Sequence, residues 1–252
     1  MINQFIYDGI RSYEDMGLII TETPPILFPE RDLSFDELPA RDGSLINDAA
    51  RWKNVSPEYK VAITDDKMTF DRACSELGNW LGSQSAYKVL TDTYDPEYYR
   101  LAVPTGAISI TQKAKALGLV TIRFSAKPFR YSLLEGEKKY TLEGSDTMQI
   151  YNPEKIASRP LIRFETERTG QIRSVGIKIN GDWFGASLGQ DDDATIINSD
   201  EMTVYSEQAG TKKNALSTYT GDEWPILVPG WNTIKATDTY QTVTIIPKWR
   251  KL

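Results

Sequence analysis

The most informative absence from this sequence of 252 residues is histidine, which does not occur at all. Histidine is the side chain that most often transfers protons near neutral pH, and it is the commonest metal ligand. An ordinary serine triad is therefore excluded. We expect a protein that is not an enzyme and that has no metal site and no cofactor, although a glycosidase that uses two carboxylates stays open as an alternative.

Cysteine, basic runs and long apolar runs are also scarce. The one cysteine, Cys74, excludes an internal disulfide. No window approaches the ~20 apolar residues of a membrane-spanning helix, and the N-terminus lacks the basic and apolar regions of a signal peptide. We expect synthesis in a cytoplasm, no export by the usual route and no membrane insertion. A formal net charge of -6 argues against a protein that binds nucleic acid.

The residues that are present indicate a globular, mainly β protein. The hydrophobic fraction of 40% and the charged fraction of 25% are ordinary for a chain with a real core. Residues 161–167 alternate, with Ile162 and Phe164 on one side, and residues 174–179 alternate in the same way. Thr169-Gly170 and Asn180-Gly181 supply turns, and Asn-Gly is the strongest short hairpin signal in the chain. The pattern predicts an antiparallel meander with one buried face.

Two further elements are clear in the first half of the chain. A helix is predicted after Thr69, whose side chain can cap it, and Gly82 is its predicted stop. Its apolar residues recur at helical spacing. They are Phe70, Ala73, Cys74, Leu77 and Leu81. Residues 119–125 alternate as a strand, with Val120, Ile122 and Phe124 on one side.

Short strands with regular turn signals predict β-sandwich architecture. Residues 133–140 break the pattern with charge and glycine, so we place a domain boundary there. The expected domains are residues 1–135 and residues 136–252, since 252 residues suit two domains of ordinary size.

Residues 29–60 form a polar segment with turn residues and isolated hydrophobic residues. At its centre lie Arg41, Asp42, Gly43 and Ser44. A long exposed segment inside a compact domain is usually functional or disordered. Two interpretations stay open: a solvated hairpin, and an arm that reaches a neighbouring subunit.

Three other groups of residues are candidates for binding. Residues 191–193 are consecutive aspartates, but the spacing of a calcium loop is absent, which favours a solvated loop. Tyr94, Tyr98 and Tyr99 fit an interface or a packed sheet surface. Three tryptophans are candidates for stacking on a sugar, with the core of a sandwich as the alternative. They are Trp183, Trp224 and Trp231.

Short segments spread over almost the whole chain are individually weak motifs, but their order and spacing are specific. They are residues 5–9, 41–45, 95–99, 158–162, 177–181, 197–200, 204–205, 224–227, 229–232 and 247–250. In this order the chain resembles the distal tail proteins (Dit) of long-tailed, non-contractile phages that infect Gram-positive bacteria. The family usually has a glycine before its Arg-Asp-Gly, whereas this chain has Ala40.

The resemblance implies a mainly β fold with two β-sandwich domains. The N-terminal domain would carry one α-helix and a projecting hairpin arm, and would build a hexameric ring at the distal end of the tail. The C-terminal domain would be galectin-like. The implied partners are other copies of the chain, the tail tube protein, the tail-tip hub and receptor-binding or baseplate proteins, in the virion and without catalysis.

Two functional expectations accompany the ring. DNA must pass through its channel, and a basic wall would hold phosphates, so we expect acidic side chains to line the bore. The alternative function is a carbohydrate-binding module for attachment to the host cell surface, because galectin-like sandwiches often bind sugars. That alternative would need an open groove with an exposed tryptophan.

Overall fold

A computed structural model of the chain describes residues 2–64, 68–115, 117–166, 173–237 and 241–252. The predicted mainly β class is confirmed, and the described part of the chain contains one α-helix. The chain divides into two compact units, residues 1–130 with Leu252 and residues 131–251. The sequence-based boundary after residue 135 lies a few residues further along. The predicted turn at Thr169-Gly170 falls outside the described residues.

The first unit contains ten strands and the helix. The elements are β1 (Phe5–Tyr7), β2 (Ile10–Arg11), β3 (Leu18–Ile20), β4 (Arg31–Asp36), β5 (Leu45–Trp52), β6 (Glu58–Thr64), α1 (Phe70–Gly82), β7 (Lys88–Asp92), β8 (Tyr98–Thr105), β9 (Ile110–Ala114) and β10 (Leu117–Ala126). Its main sheet has the order β2-β1-β7-β8-β10-β6-β3, and β9 also pairs with β10.

This main sheet curls around its own core. Three strands separate β1 from β6 in the strand order, yet Phe5 of β1 stacks on Tyr59 of β6 with ring centroids 4.7 Å apart. Strand β10 buries Val120, Ile122 and Phe124, as its alternation predicts. The core therefore lies inside the curl, and the polar positions of the same strands face outward.

Helix α1 packs on this core along its apolar stripe. Its range, Phe70–Gly82, confirms the predicted helix, and Ala73, Leu77 and Leu81 are buried. Thr69 occupies the N-cap position, but it makes no side-chain capping hydrogen bond, so the predicted cap is wrong. The helix is held by packing instead, because most helical stability in proteins comes from the buried apolar face.

The second unit is a sandwich of two antiparallel sheets. Its elements are β11 (Arg130–Ser132), β12 (Tyr140–Glu143), β13 (Thr147–Asn152), β14 (Leu161–Thr166), β15 (Arg173–Ile179), β16 (Asp182–Leu188), β17 (Ala194–Asn198), β18 (Thr203–Gln208), β19 (Thr211–Asn214), a 3₁₀ turn (Leu216–Thr218), β20 (Gly230–Ala236), β21 (Gln241–Ile246) and β22 (Arg250–Lys251). One sheet has the order β12-β21-β14-β17-β18-β19 and the other β13-β20-β15-β16.

The predicted meander of β14 and β15 is wrong, because the two strands belong to different sheets. Strand β14 pairs with β17 and β21, whereas β15 pairs with β16 and β20. Both strands bury their apolar residues in one shared core, including Phe164 and Ile177. Alternation specifies which face of a strand is buried and does not specify its neighbour. The Asn180-Gly181 hairpin is confirmed, with φ angles of 53° and 105°.

Candidate assembly site

The segment expected to be an arm is a two-stranded hairpin. Strands β4 and β5 pair with each other and with no other strand of the described chain. Residues 34–51 are all exposed, including Arg41, Asp42, Gly43 and Ser44 in the connecting loop. An isolated two-stranded hairpin is marginally stable in water. The hairpin therefore presents a long surface that the fold of its own unit leaves uncovered.

The connecting loop turns through two residues with left-handed backbone geometry. Gly43 has φ +78°, and Ala40 has φ +62°. Glycine adopts this region freely, whereas a residue with a Cβ adopts it at a cost. The backbone at position 40 therefore favours glycine, although the chain carries alanine there.

Ion pairs on the exposed surface cross-link the two strands. The Arg31 guanidinium binds the Asp48 carboxylate through Nε at 3.0 Å and Nη2 at 2.7 Å, and it lies 5.3 Å from the centroid of the Trp52 ring. Arg51 binds Asp32 at 2.6 Å. Hydrogen bonds from Arg31 and from a backbone amide hold the pKa of Asp48 below its ordinary value. Exposed ion pairs contribute little individually, so their main effect is to define the geometry of the strands.

The hairpin also carries exposed apolar side chains. Phe35 and Ile46 lie directly opposite each other on the two strands, and 60% and 64% of their respective surfaces are exposed. Leu38 and Leu45 are exposed nearby in the sequence. Large exposed apolar patches mark interaction sites, so these side chains make the hairpin a candidate contact surface. We refer to Phe35 and Ile46 as the arm pair.

The tyrosine cluster predicted in the first half of the chain lines a cavity of about 230 Å³ in the first unit. Tyr94, Tyr98 and Tyr99 contribute to its wall. Arg100 lies at the same cavity and donates hydrogen bonds to the carbonyls of Pro128 and Leu27, each at 3.0 Å.

Burial, together with the nearby Arg130 guanidinium, lowers the pKa of Arg100 to about 10. Arg100 therefore stays charged at neutral pH. Its two hydrogen bonds hold the backbone at Leu27 and at Pro128, which is a structural role.

Trp183 has a structural role on the outer face of the four-stranded sheet. Its Nε1 donates a hydrogen bond to Thr220 Oγ1 at 3.0 Å. Its ring lies on the backbone of Gly176 and Gly185, where an added Cβ would come within 2.4 Å and 2.7 Å of ring carbons. The ring is only half-exposed and covers two glycines that could not be replaced by larger residues.

Trp224 and Trp231 have different surroundings. Trp224 stacks on Tyr219 at a centroid distance of 4.7 Å and an interplanar angle of 11°, and it packs against the core. Trp231 is 65% exposed and meets the Tyr151 ring edge-on at 5.1 Å. Ring contacts among the described residues do not join the three predicted tryptophans into one platform.

The aspartate run at residues 191–193 stabilises its own loop and the turn between β18 and β19. Asp192 Oδ2 accepts a hydrogen bond from the Gly189 amide at 2.9 Å, and Asp193 Oδ2 accepts one from the Ala209 amide at 2.8 Å. Within the described ranges, no three acidic or thiol side chains are grouped so that they could hold a metal ion.

Helix α1 is the one α-helix of the described residues, and no helix there is long and apolar enough to cross a membrane.

Sequence reasoning missed the buried amide side chains that organise the second unit. Asn232 is fully buried, and its amide makes four hydrogen bonds: it accepts from Val228 N and Asn180 Nδ2 and donates to the carbonyls of Val228 and Gly230. The signal in the sequence is an asparagine that directly follows Pro-Gly-Trp. The motif at residues 229–232 thus has a structural basis.

Comparisons with known proteins identify the fold. No family model matches the sequence, and no curated relative matches it. The chain has the same fold as a phage Dit protein and as chains of a phage baseplate. The Dit protein of phage SPP1, described as a paradigm of hub adsorption apparatus in phages that infect Gram-positive bacteria, aligns over 100% of both chains with a TM-score of 0.70 and 14% identity.

Chains of two phage baseplate structures align with this chain as well. A chain of the phage P2 baseplate in its activated conformation with Ca aligns over 97% of this chain and 98% of its own, with a TM-score of 0.58 and 10% identity. A chain of the phage p2 baseplate in its activated conformation with Sr aligns over 100% of this chain and 99% of its own, with a TM-score of 0.59 and 10% identity.

Proposed function

We propose that this protein is a structural component of a phage tail, a distal tail protein that joins the tail tube to the tail-tip hub and baseplate. The observation that carries the proposal is the alignment with SPP1 Dit over the full length of both chains. A shared fold does not by itself convey function, so the proposal also rests on the exposed hairpin, which a subunit of an assembly needs and an isolated protein does not.

The proposed assembly is a hexameric ring. A ring requires a head-to-tail interface between two different surfaces of the subunit. Permanent interfaces commonly bury ~2,000 Å² or more. The projecting hairpin adds exposed surface to that of the curled sheet in the same unit, and so increases the area available for the interface. In the proposed ring, Arg41, Asp42, Gly43 and Ser44 reach the neighbouring subunit, and the arm pair supplies the apolar contact.

The ring's partners follow from its place in the virion. One rim contacts the tail tube protein and the other the tail-tip hub, and the outside carries receptor-binding or baseplate proteins. The channel passes DNA during ejection, with acidic side chains lining the bore because a basic wall would retain phosphates. A structure of the assembled ring with lysine and arginine around the bore would contradict this part of the proposal.

Assembly is tested by native mass spectrometry of the intact chain over a range of concentrations, alone and with the tail tube protein. The expected species is a hexamer. Replacing both residues of the arm pair by serine should abolish it, since the contact loses its apolar side chains. Leu216→Ser, at a comparably exposed leucine of the second unit, is the matched control and should assemble normally.

A monomer under every condition would overturn the ring. Unchanged assembly of the arm-pair variant would show that the hairpin does not make the contact. Both variants should fold normally, because the replaced side chains are exposed in the single chain. Circular dichroism of each variant is the check.

A second function, carbohydrate binding, is favoured by one specific observation. Trp231 is largely exposed on a regular strand, which an open sugar-binding surface requires. Trp183 and Trp224 are engaged with their own neighbours.

A further inference from the structure

The outer face of the four-stranded sheet in the second unit carries an ordered set of exposed side chains. In the register of β13 and β20, Tyr151 lies opposite Trp231, and Gln149 lies opposite Thr233. Next along the strands, Lys235 lies opposite Lys178 of β15. The alternate residues of these strands are buried, including Ile150, Ile234 and Ile177.

The aromatic pair at one end of this face is pre-organised. Tyr151 and Trp231 are 51% and 65% exposed, and their rings meet at 62° with centroids 5.1 Å apart. Edge-to-face contact is a favourable arrangement of aromatic rings. Each ring is therefore fixed by the other and by its strand while much of its surface stays open to solvent.

The lysine pair at the other end is unusual for a sheet surface. Lys178 and Lys235 are direct cross-strand neighbours, both exposed, and like charges in this position destabilise a sheet. Among the contacts of the described residues, neither ammonium has a carboxylate within ion-pair distance. An anion bound between them would offset their repulsion.

We propose that this face binds an anionic polysaccharide, with a sugar ring stacked on Trp231 and an acidic substituent of the same chain at Lys178 and Lys235. Lys235 lies four positions after Trp231, which places the two subsites ~13 Å apart along the strand. That distance spans a few sugar rings. Gln149 and Thr233 lie between the subsites and offer hydrogen bonds to hydroxyls.

The composition of the face favours a glycan over a protein partner. The pair of Tyr151 and Trp231 is separated from the lysines by a polar row, and the partly exposed Trp183 lies directly opposite Lys178. The lysines distinguish this face from the cores of protein interfaces, which are depleted in charged residues. The two lysines favour a ligand with an acidic group. Stacking on Trp231 requires that the same ligand also carries a sugar ring. The inference does not depend on ring assembly, because every residue involved belongs to the second unit.

The test is isothermal titration calorimetry of the intact chain with three probes. A hyaluronan tetrasaccharide supplies rings and carboxylates, chitotetraose supplies rings without charge, and polyphosphate supplies charge without rings. Binding is expected to be tightest for hyaluronan and to weaken as salt is raised, because salt screens exposed charges.

Matched variants separate the two subsites. Trp231→Ala should weaken hyaluronan binding about tenfold, and Lys178→Gln combined with Lys235→Gln should weaken it roughly tenfold while removing most of its salt dependence. Lys212→Gln, at an exposed lysine on the other sheet, should leave binding unchanged.

Three results would overturn the inference. They are no measurable binding of hyaluronan, equal binding of chitotetraose, and polyphosphate binding that equals hyaluronan binding and is unaffected by Trp231→Ala. This inference rests on the second proposed function, carbohydrate binding. A chain that assembles into rings but binds only chitotetraose would refute the inference alone, and one that binds no glycan would refute both while leaving the ring proposal intact.

Discussion

Gln241 is the side chain whose replacement should most clearly report on the architecture of the second unit. It is 2% exposed and begins β21 in the six-stranded sheet. Its Nε2 donates to Gly176 O at 2.8 Å, and its Oε1 accepts from Gly176 N at 3.2 Å. Gly176 lies in β15, in the opposite sheet, so a single amide group joins the two sheets.

The expected cost of Gln241→Leu follows from the groups left behind. The pairing of β15 with β20 begins at Ile177, and the Gly176 amide would lose the partner that the structure shows for it. The Gly176 carbonyl would keep Thr237 Oγ1 at 2.8 Å. A buried donor without a partner costs ~1–3 kcal/mol. We expect a loss of about 2 kcal/mol in the free energy of unfolding, most of it from the amide.

The measurement is urea unfolding of the intact chain, followed by tryptophan fluorescence. Thr237→Val should cost only about 1 kcal/mol, since the carbonyl keeps one of its two partners. Gln149→Leu, at an exposed glutamine of the same unit, is the matched control and should change stability by less than ~0.5 kcal/mol. If Gln241→Leu were as stable as this control, the amide would not join the sheets in solution.

Three further predictions concern other sites. Asp200→Asn should destabilise the second unit by about 2–3 kcal/mol in the same assay, because Arg250, which is buried, and Tyr131 share that carboxylate at 3.2 Å and 2.9 Å. Ala40→Gly should stabilise the arm by ~0.5–1 kcal/mol, seen as slower hydrogen exchange there, and faster exchange would refute it. Burial raises the pKa of Tyr7 to about 12 from 10.0. The neutral Tyr7 hydroxyl therefore contributes fully to the free energy of unfolding below pH 10, and this contribution is lost as the pH rises toward 12. Tyr7→Phe should remove this part of the pH dependence when stability is measured across an alkaline titration.

Local signals in the sequence predicted individual elements well. The alternation of β10 and the stripe of α1 identify buried faces, because burial repeats with the period of each element. The Asn180-Gly181 hairpin was found because its backbone geometry depends on two adjacent residues.

Features that depend on distant residues were not predictable in this way. Alternation in β14 and β15 indicates buried faces but not that the strands lie in opposite sheets. The exposure of Trp231 and the coverage of Gly176 by Trp183 depend on strand neighbours far along the chain. The order of many weak motifs carries information about those neighbours, and the mainly β fold that the resemblance implies agrees with the structural comparisons.

The two proposals together predict a dependence on ligand length that neither predicts alone. A ring would present six copies of the Trp231 face, and binding of a second face to the same long polymer becomes intramolecular. Long hyaluronan should therefore bind the assembled protein ~10²-fold or more tightly than the tetrasaccharide does. Serine at Phe35 and Ile46 should remove this enhancement and leave tetrasaccharide affinity unchanged. An enhancement that persists in a monomeric arm-pair variant, measured by surface plasmon resonance, would show that it arises within one subunit.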